Sequence, residues 1–168
     1  MITTKWMLGN KDPEYKIVQN IRDEVFVVEQ AGSEFEADTE FDKYGIHLLI
    51  YYNGTPCATG AVFHNGAAVQ IARICVLKDF RGFGLGDLIV RMLLNKVSQS
   101  DTREVYCLAQ QYITHLYAKF GFKIINEEII DIDGIPHCRM LLNMDELVFP
   151  KKCTGGDENS ESGKRNSE

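Results

Sequence analysis

The chain has 168 residues, of which 45% are apolar and 25% charged, and its formal net charge is -6. This length and composition suit one globular domain with a sizeable core and argue against disorder of the whole chain. The negative charge gives no support to nucleic-acid binding, which usually leaves a basic footprint, and no apolar run approaches the roughly 20 residues that span a bilayer.

The first part of the chain predicts a strand followed by a helix. Residues 2–7 can form the strand, and Asp12-Pro13-Glu14 then supplies an N-cap carboxylate, a proline and an acid for the start of a helix. A stripe at helical spacing follows at Ile17, Val18, Ile21, Val25 and Val28. Gly32 interrupts this pattern. The acidic stretch from Glu29 to Asp42 has weak periodicity and predicts a loop or a short second helix.

Three further strands are expected to form an antiparallel meander. They are Ile46–Tyr52, Pro56–Phe63 and Ala68–Val76. Asn53-Gly54 and Asn65-Gly66 between them are typical of tight hairpin turns.

The segment from Ile74 to Asp87 runs from a strand through a glycine-rich turn into a helix. The helix shows an apolar face at Leu85, Leu88, Ile89, Met92, Leu93 and Val97. This arrangement points unpaired backbone N–H groups and the positive end of a helix dipole at one spot, which suits a phosphate or a pyrophosphate. The glycine spacing does not fit a Rossmann fingerprint, and no Gly-Lys-Ser/Thr is present for a P-loop.

The remaining elements complete a mixed α/β pattern of about seven strands and about four helices. Glu104–Ala109 predicts a strand parallel to the one before the glycine turn, and 113–120 predicts a short helix that Gly121 ends. Residues 122–130 and 135–142 predict a closing hairpin around Asp133-Gly134. We expect one domain over residues 1–149 and a disordered polar tail over 150–168.

The cysteines and histidines give no metal-binding pattern. The five cysteines contain no Cys-x-x-Cys pair, and no signal peptide precedes them: Cys57, Cys75, Cys107, Cys138 and Cys153. We therefore expect reduced thiols in a cytoplasmic protein without a zinc site or a disulfide frame. No role is assigned to His47, His64 or His115, which lack ligand spacing to any cysteine or acid.

Two motifs resemble the GNAT acetyltransferase superfamily. Arg81-x-x-Gly84-x-Gly86 resembles its pyrophosphate loop, and Tyr117-Ala-Lys-Phe-Gly121-Phe122 resembles its Tyr-x-x-x-Gly-Phe element. Gly134-Ile-Pro-His137 and Arg22-Asp-Glu-Val-Phe26, with Glu29-Gln30, look like the small bacterial ElaA-like branch. The superfamily resemblance covers about 46–122, and the branch resemblance extends it to about 140.

The resemblance implies acyl transfer from acetyl-coenzyme A to an amine. It assigns coenzyme binding to Ile74, Cys75, Val76, Arg81, Gly82, Phe83, Gly84, Leu85, Gly86 and Asp87. The backbone N–H of Cys75 or of Val76 would face the acyl oxygen, and Tyr117 would be the general acid. No carboxylate lies on the strand over 68–76, so Glu29, Glu36 and His137 all stay open as candidates for the base.

Arg73 and the overall function leave alternatives open. A charge in mid-strand is costly unless it is paired or faces a pocket, so Arg73 binds substrate or pairs with an acid between Glu29 and Asp42.

The main hypothesis is direct acetyl transfer to a primary amine, of a small molecule or a protein, by a monomer or homodimer that uses no metal. The alternatives are a catalytically impaired module that senses acyl-coenzyme A, and an interaction protein whose acidic loop and tail bind a basic partner. Neither nucleic acid nor a membrane is expected as a partner.

Overall fold

The computed structural model describes residues 1–32, 40–66 and 68–151. Within these residues, seven strands form one mixed sheet in the order β1-β2-β3-β4-β5-β7-β6. The strands are β1 (Ile2–Leu8), β2 (Ile46–Tyr52), β3 (Thr55–Asn65), β4 (Ala68–Val76), β5 (Glu104–Gln110), β6 (Lys123–Ile132) and β7 (Ile135–Asn143). The α/β class, the seven strands and the antiparallel meander are therefore confirmed.

Three α-helices are present in the described part of the chain, which is one fewer than the sequence predicted. They are α1 (Tyr15–Arg22), α2 (Leu85–Val97) and α3 (Thr114–Ala118). The expected short second helix falls partly on residues 33–39, outside the described residues, and its described end, Glu40–Tyr44, is a 3₁₀ turn. The predicted tail over 150–168 also lies outside them beyond Lys151, so the domain boundary stays a prediction.

The first helix changes its winding halfway along. After Arg22 the chain continues as a π-helix over Asp23–Glu29. Because a π-helix bonds each residue to the fifth along the chain, the apolar stripe rotates relative to a 3.6-residue period. Phe26 is buried and Val28 is 68% exposed, so the expected place of Val28 in the stripe is wrong.

The core lies on both faces of the sheet. On β2, Leu48 and Ile50 pack with α2, whereas Leu49 packs with α1, as strand alternation requires. Gly60 on β3 lets α2 come close, because a Cβ there would lie 2.5 Å from Cγ2 of Ile89. The helices α1 and α2 thus pack on opposite faces of the sheet at its centre.

Two of the three predicted hairpin turns and the crossover also occur, whereas Asn65 of the third, Asn65-Gly66, is the last residue of β3. Asn53 and Gly54 both have positive φ, as do Asp133 and Gly134, which fits the tight hairpins read from the sequence. Strands β4 and β5 are parallel and are joined through α2. No helix among the described residues is long and apolar enough to cross a membrane.

A buried polar network fixes the turn Glu40–Tyr44 against α1 and β2. Arg22 Nη1 donates to Asp42 Oδ1 over 2.9 Å, and Arg22 Nη2 lies 3.0 Å from His47 Nδ1. Since a guanidinium only donates, His47 Nδ1 accepts, and its Nε2–H donates to the backbone carbonyl of Asp42 at 2.8 Å. All three side chains are fully buried, so the network sets the position of residues that flank Asp42.

Candidate active site

The sheet opens between its two parallel strands. Strand β4 pairs with β5 only at Val69 with Val105 and at Gln70 with Tyr106. Beyond this point the two strands diverge, while β5 remains paired with β7 along its whole length. Backbone groups on the facing edge of β4 are therefore left available to a ligand.

A β-bulge bends β4 at the opening. The register against β3 shifts between Thr59 and Ala61, so that Arg73 and Ile74 are accommodated opposite Gly60. Arg73 has a φ of 56°, which is a rare backbone conformation for a side chain of this size. Bulges of this kind occur next to active sites because they re-aim a side chain.

The glycine turn between β4 and α2 forms a cradle of backbone amides. Gly82 and Gly84 have φ values of 86° and 73°, and their ideal Cβ positions meet no atom within 4 Å. The first hydrogen bond of α2 joins Leu88 N–H to the carbonyl of Gly84 at 3.0 Å. The N–H groups of Leu85, Gly86 and Asp87 thus precede the helical ladder and point out of the helix end.

This cradle borders a cavity of about 550 Å³, which we call the loop cavity. It is lined by the π-helix after α1, the end of β4, the glycine turn and the segment around α3. Its lining residues include Glu29, Arg73, Ile74, Cys75, Val76, Arg81, Gly82, Gly84, Leu85, Gly86, Asp87, Tyr117 and His137. The side chains of Cys75 and Leu85 are buried in the core, so these two residues present mainly backbone. Phe83 is absent from this lining and stacks on Tyr52, with ring centroids 5.2 Å apart.

Arg81 is held by a carboxylate and a carbonyl. Its Nη1 and Nη2 donate to the two oxygens of Glu29 at 2.5 and 2.7 Å, and its Nε donates to the carbonyl of Val76 at 3.0 Å. The hydrogen bonds from Arg81 hold the pKa of Glu29 below its usual value. Glu29 is consequently an ionised partner of Arg81, which weakens its case as a base.

Asp87 at the start of α2 is neutralised by two cations. It pairs with Arg91 at 3.3 Å and makes a close ion pair with Lys119. Burial raises the pKa of Asp87, but Lys119 first and then Arg91 outweigh it, and the net pKa is lowered. A carboxylate beside the cradle therefore stays ionised with its charge compensated within the protein.

A second cavity of about 500 Å³ meets the first one at the opening of the sheet. We call it the aromatic cavity, because Phe41, Tyr44 and Phe63 line it. The residues that line both cavities are Arg73, Leu108, Tyr117 and His137. This junction is the place where a group bound in one cavity can reach a group bound in the other.

Tyr117 is buried at the junction, with 5% of its surface exposed. Its ring packs edge-on against Phe122 at 5.8 Å. Burial first, and then the neighbouring Cys107, raises the pKa of the Tyr117 phenol far above its usual value. The hydroxyl therefore keeps its proton and is a hydrogen-bond donor.

His137 lies on β7 at the same junction. Its Nδ1 is 2.8 Å from the backbone carbonyl of Ile135. Because a carbonyl only accepts, Nδ1 carries the hydrogen, and in the neutral ring Nε2 has a free lone pair. Of the three base candidates, His137 lines both cavities, Glu29 is paired with Arg81, and Glu36 lies outside the described residues.

The cysteines in the described part of the chain are free, buried thiols. Burial raises the pKa of Cys75 to about 12, and burial also raises that of Cys107. Neither thiol is a thiolate near neutral pH, so neither is an activated nucleophile. No group of three or more His, Cys, Asp and Glu among the described residues could hold a metal ion.

Sequence reasoning missed the buried network and the aromatic cavity. A signal for the network existed, because Arg22 interrupts an apolar helical stripe and His47 stands in an apolar strand. No signal existed for the cavity. Phe41, Tyr44 and Phe63 are brought together only by the turn that Asp42 anchors and by the sheet.

Known proteins are similar to this chain in sequence and in fold. A family model described as an acetyltransferase (GNAT) domain matches residues 11–144. The uncharacterized protein YyaT of Bacillus subtilis is 34% identical over 123 residues, or 71% of this chain and 82% of YyaT. Escherichia coli ElaA has a TM-score of 0.75 and 25% identity, over 85% of this chain and 100% of its own. An acyl-CoA N-acyltransferase from Pseudomonas aeruginosa also gives a TM-score of 0.75 with 25% identity, over 84% and 99%.

Proposed function

The chain belongs to the GNAT acetyltransferase family, whose chemistry is acyl transfer from acyl-coenzyme A, and we propose that this member transfers acetyl directly to a primary amine. The observation that carries the proposal is the meeting of two cavities at Tyr117 and His137. One cavity carries the amide cradle, and the other is a separate chamber for an acceptor.

The cradle fits the diphosphate of coenzyme A. The N–H groups of Leu85, Gly86 and Asp87 supply donors and the positive end of the α2 dipole, as diphosphate recognition requires. The open space over Gly82 and Gly84 is where a Cβ would obstruct the approach of such a group. When bound there, acetyl-coenzyme A supplies an activated acyl group as a thioester.

Val76 is the better of the two expected donors to the acyl oxygen. Leu77 N–H donates to the carbonyl of Cys57 on β3 at 2.9 Å. Strand alternation turns Cys75 N–H to the same side as Leu77 N–H and turns Val76 N–H to the open edge. Arg81 Nε binds the carbonyl of Val76, which points to that open edge as well.

Proton movements are assigned to the two side chains at the junction. The amine must be neutral to attack, and Nε2 of His137 takes its proton. Tyr117 keeps its proton at Oη and donates a hydrogen bond to the departing sulfur, and the second proton that the nitrogen loses as the amide forms goes to this sulfur. A free thiol ionises near pH 8.5, below the raised pKa of Tyr117, so stabilisation of a thiolate is the main contribution of this phenol.

The direct nature of the transfer is supported by the state of the thiol at the site. Cys75 is the cysteine that lines the loop cavity, and its side chain packs in the core around α1. Its raised pKa keeps it protonated. We therefore assign no covalent enzyme intermediate.

Substitution of Gly84 tests the cradle. Gly84→Val places a branched side chain in the space meant for the diphosphate, and each lost bond to a charged group is worth about tenfold or more in affinity. Isothermal titration with acetyl-coenzyme A should show binding weakened by at least about tenfold. Gly66→Val is the matched control, because Gly66 also has positive φ and open surroundings but lies before β4, at the opposite end of that strand from the glycine turn.

Two results would decide against the proposal in different ways. Undiminished affinity in Gly84→Val would remove the cradle from coenzyme binding. Tight binding without thiol release in a broad screen of amines would instead favour the sensing module.

A further inference from the structure

The aromatic cavity has a largely apolar lining and a cationic residue, Arg73, at its junction with the loop cavity. Apart from Phe41, Tyr44 and Phe63, its apolar lining consists of Ile71, Ala72, Leu108 and Ile132. Its volume of about 500 Å³ is within the range of small-molecule sites. Such a wall favours an aromatic or large aliphatic group of a small acceptor.

The charge of the cavity is concentrated at the junction. Among its described lining residues, Arg73 is the one arginine or lysine, and none is a carboxylate. A polyamine or another polycation would find no opposite charge on these residues. Arg73 has an interaction within the protein, and a guanidinium with five N–H donors can also bind a carboxylate that enters the junction.

The guanidinium of Arg73 lies at the junction where the amine is proposed to react. Arg73 shares the junction with Tyr117 and His137, which the proposed function makes the hydrogen-bond donor to the departing sulfur and the base. A carboxylate one carbon away from the amine would therefore lie beside the guanidinium. The rest of such a molecule would extend along the aromatic wall.

Resting on the proposed function, we infer that the acceptor is a free α-amino acid with an aromatic or large aliphatic side chain. Its amine faces His137, its carboxylate binds Arg73, and its side chain occupies the space between Phe41, Tyr44 and Phe63. Arg73 is thus the residue that determines specificity for an acidic acceptor.

The test compares three amines by thiol release with acetyl-coenzyme A. L-Phenylalanine and phenethylamine share the ring and the amine but differ in the carboxylate, and spermidine represents polycations. L-Phenylalanine should exceed phenethylamine in kcat/KM by about tenfold or more, because a hydrogen-bonded charge pair is lost. Calorimetric binding of L-phenylalanine without coenzyme provides a second readout.

Variants of two arginines test whether Arg73 causes the preference for L-phenylalanine over phenethylamine. Arg73→Gln should reduce the ratio between L-phenylalanine and phenethylamine to below about threefold, whereas Arg73→Lys should keep part of it. Arg103→Gln is the matched control, because Arg103 is exposed and lines a different cavity at the other end of β5. It should leave the ratio unchanged.

The outcomes separate this inference from the proposed function. Equal or better use of phenethylamine or spermidine, or an unchanged ratio in Arg73→Gln, overturns the inference while acetyl transfer stands. If no amine releases thiol, acetyl transfer fails, and the calorimetry alone decides. Arg73-dependent binding of L-phenylalanine then supports the inference, and absence of binding overturns it.

Discussion

At the scale of the residue, Tyr117 combines burial with a position between two cavities. Tyr117→Phe removes one hydroxyl and keeps the packing against Phe122. We expect kcat to fall by about 10²- to 10³-fold, the usual cost of removing one hydrogen-bond donor to developing negative charge, with little change in the affinity for acetyl-coenzyme A. Steady-state kinetics and calorimetry measure the two effects.

A neighbouring tyrosine provides the comparison for this variant. Tyr112 also lines the loop cavity but is largely exposed. Tyr112→Phe should retain its turnover rate. A Tyr117→Phe enzyme with wild-type kcat would remove Tyr117 from the reaction.

If His137 is the base, its substitution should change the pH dependence of kcat/KM. His137→Gln removes the acceptor Nε2, so that only amine already neutral in solution reacts. Its kcat/KM should fall by about 10²-fold or more near neutral pH and recover about tenfold per pH unit below the pKa of the amine. The measurement is kcat/KM from about pH 6.5 to about pH 9.

His64 is the control for this profile, since it lines the aromatic cavity but not the loop cavity. His64→Gln should keep the wild-type dependence on pH. If His137→Gln kept it too, the base would have to be sought elsewhere, including Glu36.

The sequence indicated some of these residues but not their partners. Tyr117 follows from Tyr-x-x-x-Gly-Phe, and Glu29 and His137 from the branch motifs. The pairing of Glu29 with Arg81 was out of reach because the two residues are 52 positions apart, and only the fold brings them together. That pairing is the observation that separates the base candidates.

At the scale of the element, the π-helical end of α1 bridges the open edge of the sheet. Glu29 binds Arg81 at the glycine turn, and Gln30 accepts a hydrogen bond of 2.9 Å from Gln110 at the end of β5. These two consecutive residues thus bind the glycine turn and the end of β5, and both line the loop cavity. Apolar periodicity predicted a helix here but not the π-turn, because a change in winding leaves no composition signal.

The buried network should contribute strongly to stability. Removal of one partner of a buried charged pair costs about 3–5 kcal/mol, so Asp42→Ala should lower the free energy of unfolding by about that amount in a denaturant titration. Asp101→Ala, at an exposed turn, should change it by less than about 0.5 kcal/mol. Similar small losses in both variants would contradict the role given to the network.

At the scale of the whole molecule, the site depends on a sheet in which β4 and β5 are paired at one end and separate at the other. The meander, the hairpins and the parallel crossover followed from local signals such as Asn53-Gly54 and the helical stripe after Gly84, whereas the positions of β1 beside β2 and of β7 beside β5 did not. The divergence of β4 from β5 beyond Gln70 did not follow from the residues themselves, since no residue pattern in either strand indicates where the pairing ends.

The central claim is that backbone amides at the start of α2 and at the end of β4 hold an acyl-coenzyme A. The most direct measurement is a ¹⁵N–¹H correlation spectrum recorded during titration with coenzyme A. We predict the largest shifts at the amides of Val76, Gly84, Leu85, Gly86 and Asp87. Saturable binding that leaves these amides unshifted and perturbs another surface would contradict the account.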